Sequence, residues 1–117
     1  MSDPSPHPYP RLQEDGFQLI PVEQDSSQIL AAPLPSDAER FSAVPGDIVK
    51  LVFQYRDAYP RPDGKLVRAE HMWVQVIEQA DGCLIGELDS DPLNASLLKA
   101  GHRLTFHPKH IVAIWQD

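Results

Sequence analysis

Three things are scarce in this chain of 117 residues: it has 1 cysteine and 6 glycines, and only 10 lysines and arginines against 17 acidic residues. A lone Cys83 cannot close an intramolecular disulfide, so nothing of that kind staples the fold. It follows Gly82 with no cation beside it in sequence, which leaves no visible reason for an activated thiolate. The few basic residues form no cluster. Counterion release needs several cations on one face, so sequence-independent nucleic-acid binding is not expected. No apolar run approaches the ~20 residues of a membrane-spanning helix. The opening Met1-Ser2-Asp3-Pro4 has neither the basic region nor the apolar stretch of a secretory signal. These absences predict a cytoplasmic protein with no membrane association. A phosphate-cradling glycine loop, a dinucleotide fingerprint and a nucleophile motif are also missing, and Ser90 has no evident base beside it. No cofactor is expected, and the chain reads as non-enzymatic.

What the chain does have is proline, 12 residues of it, within an ordinary globular composition of 42% hydrophobic and 23% charged residues. Pro4, Pro6, Pro8 and Pro10 alternate with small or polar residues, a pattern that favours extended conformations without internal hydrogen bonds. Residues 1–16 are therefore expected to be a disordered proline-rich tail. Residues 17–45 read as an irregular arm with short helical turns. Phe17 to Val22 can supply an edge strand or lie over the core, because Pro21 bars it from a sheet interior. Asp25 to Gln28 offer caps for a turn over Ile29 to Ala32, and Ser36 with Glu39 three residues later has the form of a capping box.

From residue 46 to residue 117 the pattern is that of a single β-rich domain. Ile48 to Tyr55 is β-branched and long enough for a strand, with Val49, Leu51, Phe53 and Tyr55 on its fuller apolar face. A connection from Arg56 to Lys65 follows, in which Arg61-Pro62-Asp63-Gly64 suits a type I turn. Glu70 to Ile77 is the most strand-like run, and alternation puts Met72, Val74 and Val76 on one face and Trp73, Gln75 and Ile77 on the other. A three-residue loop from Ala80 to Gly82 would set Val74 opposite Leu88, Ile77 opposite Ile85, and Gly86 opposite Val76, where a missing side chain admits another element. Asp91, Pro92 and Gly101 mark the ends of one short helix near 92–99. His102 to Phe106 and Ile111 to Trp115 read as two more strands around the turn His107-Pro108-Lys109-His110. The expected fold is mainly β: a small curled antiparallel sheet, or partly open barrel, of about five strands, since curling removes exposed edges.

The segments Gly46 to Phe53, Glu70 to Val74, Gly86 to Pro92 and Phe106 to Ile111, taken in order, resemble the bacterial domain-of-unknown-function family 2314. The chain departs from that family's pattern at Ser90, where Asn is usual, and at His71, where Arg is common. The resemblance implies a compact bacterial domain and no activity. Related small domains stand in toxin and immunity gene neighbourhoods, which implies partner binding and an immunity-like role.

Three groups of residues are candidates for a site. Trp73, Ile77 and Ile85 put large apolar groups on the second face of the central hairpin, where the arm, the short helix or another protein must cover them. That makes a protein-interaction module the leading expectation, with a basic partner favoured by the formal charge of -7. Glu87, Asp89 and Asp91 alternate along a strand end and could hold a cation or shift a proton affinity. His102, His107 and His110, if they converge, could ligate a metal or serve a hydrolase. Trp73 and Phe53 could stack single-stranded bases on a barrel face, which the negative charge opposes.

Overall fold

The computed structural model describes residues 9–21, 35–80, 82–92 and 97–115. Their architecture is mostly β, a six-stranded antiparallel sheet curled into a partly open barrel. In chain order the elements are α1 (Leu12–Asp15), β1 (Phe17–Leu19), α2 (Asp37–Phe41), β2 (Ile48–Pro60), β3 (Leu66–Ala80), β4 (Cys83–Leu88), β5 (Arg103–Phe106), and β6 (Ile111–Ile114). A 3-10 turn over Pro108–His110 joins the last two strands.

The strands run in the order β1-β2-β3-β4-β5, with β6 returning to pair with β2. One edge of β2 therefore carries two strands end to end. Lys50 faces Ala113 of β6, while Phe53 and Tyr55 face Leu19 and Phe17 of β1. The edge is completed by the Trp115 N–H donating to the Ile48 carbonyl at 2.8 Å and the Ile20 N–H donating to that of Val52 at 3.1 Å. Consecutive strands β5 and β6 thus stand on opposite sides of a seam across which no described strands pair, and the 3-10 turn connects them. The expected edge strand at Phe17 is real, which brings the count to six.

Alternation decides which side chains fill the barrel. Val49, Leu51 and Phe53 of β2, Val74 of β3, Phe106 of β5 and Ile111 of β6 are completely buried and share one core. Burial of each such side chain stabilises by about 1.5–3 kcal/mol. Phe17 and Leu19 of the arm join this inner core. Residues 9–16, read from sequence as tail, include α1, capped by Gly16, whose N–H bonds the Leu12 carbonyl at 3.1 Å. Residues 1–8 and the turn expected over Ile29 to Ala32 lie outside the described residues. The capping box of α2 forms as expected: the Ser36 hydroxyl accepts from the Glu39 N–H, and the Glu39 carboxylate accepts from the Ser36 N–H at 2.9 Å.

Two hairpins differ from expectation. The connection from Arg56 to Lys65 is mostly strand, since β2 runs to Pro60 and β3 starts at Leu66. Only Arg61 to Lys65 turn the chain, with the Gly64 N–H bonded to the Arg61 carbonyl at 2.9 Å. The excess length is absorbed where pairing slips between Gln54 and Tyr59. In the second hairpin Val74 faces Leu88 and Val76 faces Gly86, as expected, but Glu78 faces Ile85 and Ala80 faces Cys83. The loop is the shorter one, and a β-bulge at Ile77 restores the inner register, so that Ile77 and Glu78 together oppose Ile85. A Cβ on Gly86 would press on Val74 and stand 2.8 Å from the Gln75 carbonyl oxygen and 3.0 Å from the Phe106 ring. The element that approaches there is the Phe106 side chain of β5. Residues 93–96, the centre of the expected helix near 92–99, lie outside the described residues, and of the residues that follow, Leu97, Ala100 and Gly101 stand in turns.

Candidate functional site

The outer face of the barrel carries its apolar groups in separate islands. Val52 and Val112 are sealed against each other and against Ile20, so the arm covers this part. Next to them Lys50 stands opposite Trp73, with its ammonium 4.8 Å from the centre of the Trp73 rings. Trp115, held by its main-chain bond to Ile48, meets Trp73 edge to face at 5.5 Å and 84°. Such an aromatic pair contributes about 0.5–1.5 kcal/mol beyond its buried area, and an exposed cation over a ring about 0.5–1 kcal/mol. Trp73 is left half-buried while Trp115 is 56% exposed.

The triad expected from the sequence is split. At the rise of a strand, Trp73 and Ile77 lie about 13 Å apart along β3, and the polar pair Gln75 and Glu87 stands between them. Ile85 is buried beside Ile77 and faces Thr105 on its other side. The residue that does meet Trp73, Trp115, was not paired with it from sequence. Alternation alone would have turned Trp115 inward with the buried Ile111; the register shift between β2 and β6 at Val112 puts it on the outer face. Phe53, proposed as a stacking platform, is fully buried in the core. Of the described arm, Phe17 and Leu19 are buried inside, while Ile20 packs on the outer face.

The acidic residues are engaged in structure or stand in solvent. The Glu87 carboxylate accepts from Arg103 Nε at 3.2 Å across β4 and β5. Asp89 donates its N–H to the Trp73 carbonyl at 2.9 Å, and Asp91 is exposed. Between them the Ser90 hydroxyl accepts the Trp73 N–H at 2.9 Å, which closes the end of the β3–β4 ladder. At the barrel mouth the Tyr55 hydroxyl donates to Glu70 at 2.6 Å. Burial first, and then that hydrogen bond, raise the phenol's pKa. Cys83 is buried, and its thiol donates to the Ala80 carbonyl.

The histidines occupy two places. His107 and His110 cap the 3-10 turn reciprocally: His107 Nδ1 accepts the Lys109 N–H at 3.0 Å, and His110 Nδ1 accepts the His107 N–H at 2.9 Å. An acceptor nitrogen is an unprotonated one. Burial, with Lys109 and His107 adding repulsion, pushes His110 down to about 4, and burial also lowers His107. An aromatic ring from an earlier segment packs on each, Tyr9 on His110 at 6.0 Å and Phe41 on His107 at 5.5 Å. His102 instead lies against Phe17. Among the described residues no three His, Cys, Asp or Glu side chains are grouped to hold a metal ion. A cleft of about 450 Å³ adjoins His110, with the Gln18 and Gln54 amides hydrogen-bonded in its wall. No helix among the described residues is long and apolar enough to cross a membrane.

No curated protein and no solved structure matches the chain. The model of one family does match, over residues 24–115, which extends the likeness seen in the strand motifs upstream through α2 and downstream through β6 to Trp115. The chain belongs to the family described as an uncharacterized protein conserved in bacteria, DUF2314.

Proposed function

We propose that this protein is a non-enzymatic interaction module of the bacterial cytoplasm that binds a basic protein partner through Trp115, Trp73 and Lys50, in an immunity-like role. The observation that carries the reading is the edge-to-face tryptophan pair with one indole 56% exposed. Tryptophan dominates binding hot spots because it brings a large, rigid apolar area to the contact at little entropic cost. Here Trp73 stands on β3 and Trp115 is tied to β2 by its main-chain bond to Ile48, so the contact surface is organised before a partner arrives. The formal charge of -7 supplies long-range attraction for a positively charged partner, while the indoles supply the short-range contact.

The test compares the full chain with its Trp115→Ala variant as baits in lysate of the native bacterium, followed by calorimetry with the purified partner at low and high salt. A partner held by the parent chain, lost by the variant and weakened by salt supports the reading. Equal retention by both baits, or a complex insensitive to both changes, overturns it.

A further inference from the structure

A second contact surface lies at the barrel seam, on the edge of β5. The Leu88 N–H donates to the His102 carbonyl at 2.9 Å, so Leu88 and His102 form a hydrogen-bonded pair of the β4–β5 ladder. Bonded and non-bonded pairs alternate in an antiparallel ladder. Gly86 with Leu104 and Leu84 with Phe106 are then the next bonded pairs, whereas Arg103 and Thr105 face Glu87 and Ile85 without exchanging bonds. The N–H and C=O groups of Arg103 and Thr105 consequently point away from β4, into the seam. No described residue hydrogen-bonds to them. Thr105 is only 7% exposed, which makes unpaired main-chain groups at its position costly.

Alongside this edge runs a cleft of about 410 Å³, bounded by Tyr9, Pro10, Glu14, Asp15, His102 and Thr105. Pro10 has no N–H to offer across it. Arg11 and Arg103 also border the cleft, but Arg103 is drawn to Glu87.

We propose that β5 accepts an extended basic peptide by strand addition, in which the guest's main chain bonds Arg103 and Thr105 while its cationic side chains turn toward Glu14 and Asp15. Main-chain bonds supply affinity in this mode of recognition, and side-chain alternation supplies selectivity. A helix or a compact ligand would leave the row of donors and acceptors unmatched, whereas a strand repeats them at the right spacing. The net charge of the chain selects for a cationic guest. The edge is short and carries a charged residue, both of which keep natural sheets from pairing indiscriminately, so a guest must also fit the cleft. This surface is independent of the Trp73–Trp115 pair, and either can fail without the other.

The probe is a capped peptide of alternating lysine and valine, titrated into isotopically labelled full-length protein and followed by amide NMR and hydrogen exchange. The Arg103 and Thr105 amides are expected to shift and to gain protection, while the Leu104 and Phe106 amides, already bonded to β4, change little. The same peptide with alternate amides N-methylated loses about one hydrogen bond per methyl and binds at least about tenfold more weakly. Thr105→Pro removes an N–H that no described group uses and should abolish binding. Should that variant fail to fold, the N-methylated peptide decides alone. Equal binding of the two peptides, shifts centred on Trp73 and Trp115, or no shift at millimolar peptide overturns the proposal.

Discussion

On β2, Val49, Leu51 and Phe53 are completely buried, while Lys50 and Gln54 on the same strand keep contact with solvent and only Val52 between them is sealed. The inner face is a single continuous core to which all six strands contribute. On the outer face the apolar groups are separate: Val52 with Val112 and Ile20, Trp73 with Trp115, and Ile77 near Ile85. Inside, one side chain cannot change volume without moving its neighbours, because interiors are close-packed. Outside, the polar pair Gln75 and Glu87 separates the islands, so a change in one has little to propagate through. Substitutions should therefore cost most within and least without, and four experiments probe that contrast.

The largest effect is expected at Gly86. Gly86→Ala forces a methyl toward Val74, the Gln75 carbonyl and Phe106, and since a backbone oxygen cannot rotate aside, a loss of about 3 kcal/mol is expected by urea denaturation. A loss below about 1 kcal/mol would show that the core yields where close packing says it should not.

Acid should act through His110, buried in the 3-10 turn between β5 and β6. Its folded pKa of about 4 lies below the ordinary value of 6.5, so the unfolded chain binds the proton more readily. The associated stability is fully present above about pH 6.5 and is lost as pH falls toward 4, to a limit of about 3 kcal/mol. The groups around the ring are His107, Lys109 and Tyr9. Denaturation at pH 7 and pH 4.5, compared between the parent chain and His110→Asn, measures this: the amide oxygen of asparagine keeps an acceptor without titrating near neutrality. An equal acid sensitivity in the variant would assign the effect to other groups.

Ser90 lies at the boundary between the faces. Ser90→Ala removes the acceptor for the Trp73 N–H and is expected to cost about 1–2 kcal/mol, with faster hydrogen exchange at the Trp73 amide. Exchange at Trp73 no faster than in the parent chain would mean that the hydroxyl holds nothing. The smallest change in stability is expected at Trp115: Trp115→Ala removes the edge-to-face contact and should cost about 0.5–1.5 kcal/mol. If it costs as much as a core substitution, the indole pair belongs to the fold rather than to a contact surface.

Much of the barrel could be read from the chain because two-residue periodicity encodes which face a side chain takes. Val49, Leu51 and Phe53 were each assigned to one face of their strand, and Met72, Val74 and Val76 to one face of theirs, and both sets lie in the shared core. The capping box at Ser36 and Glu39 was equally local. What escaped was set by distant partners. The bulge at Ile77 reconciles a tight loop with an inner register that needs one more residue, and neither demand alone discloses it. The meeting of Trp73 with Trp115 depends on β6 returning to β2, a pairing between strands far apart in the sequence. The histidines were legible as a turn, but their use of Nδ1 as caps depends on ring orientations that composition does not specify.

The way β1 and β6 share one edge of β2 bears on how the molecule is made. A ribosome delivers β2 well before β6, so the half of that edge opposite Val49 to Leu51 stays bare until Ile111 to Ile114 have been made. A chain that stalled before Ile111 would expose that row of unpaired amides, and quality-control proteases would meet an open flank. Synthesis of β6 and completion of that edge are thus nearly the same event.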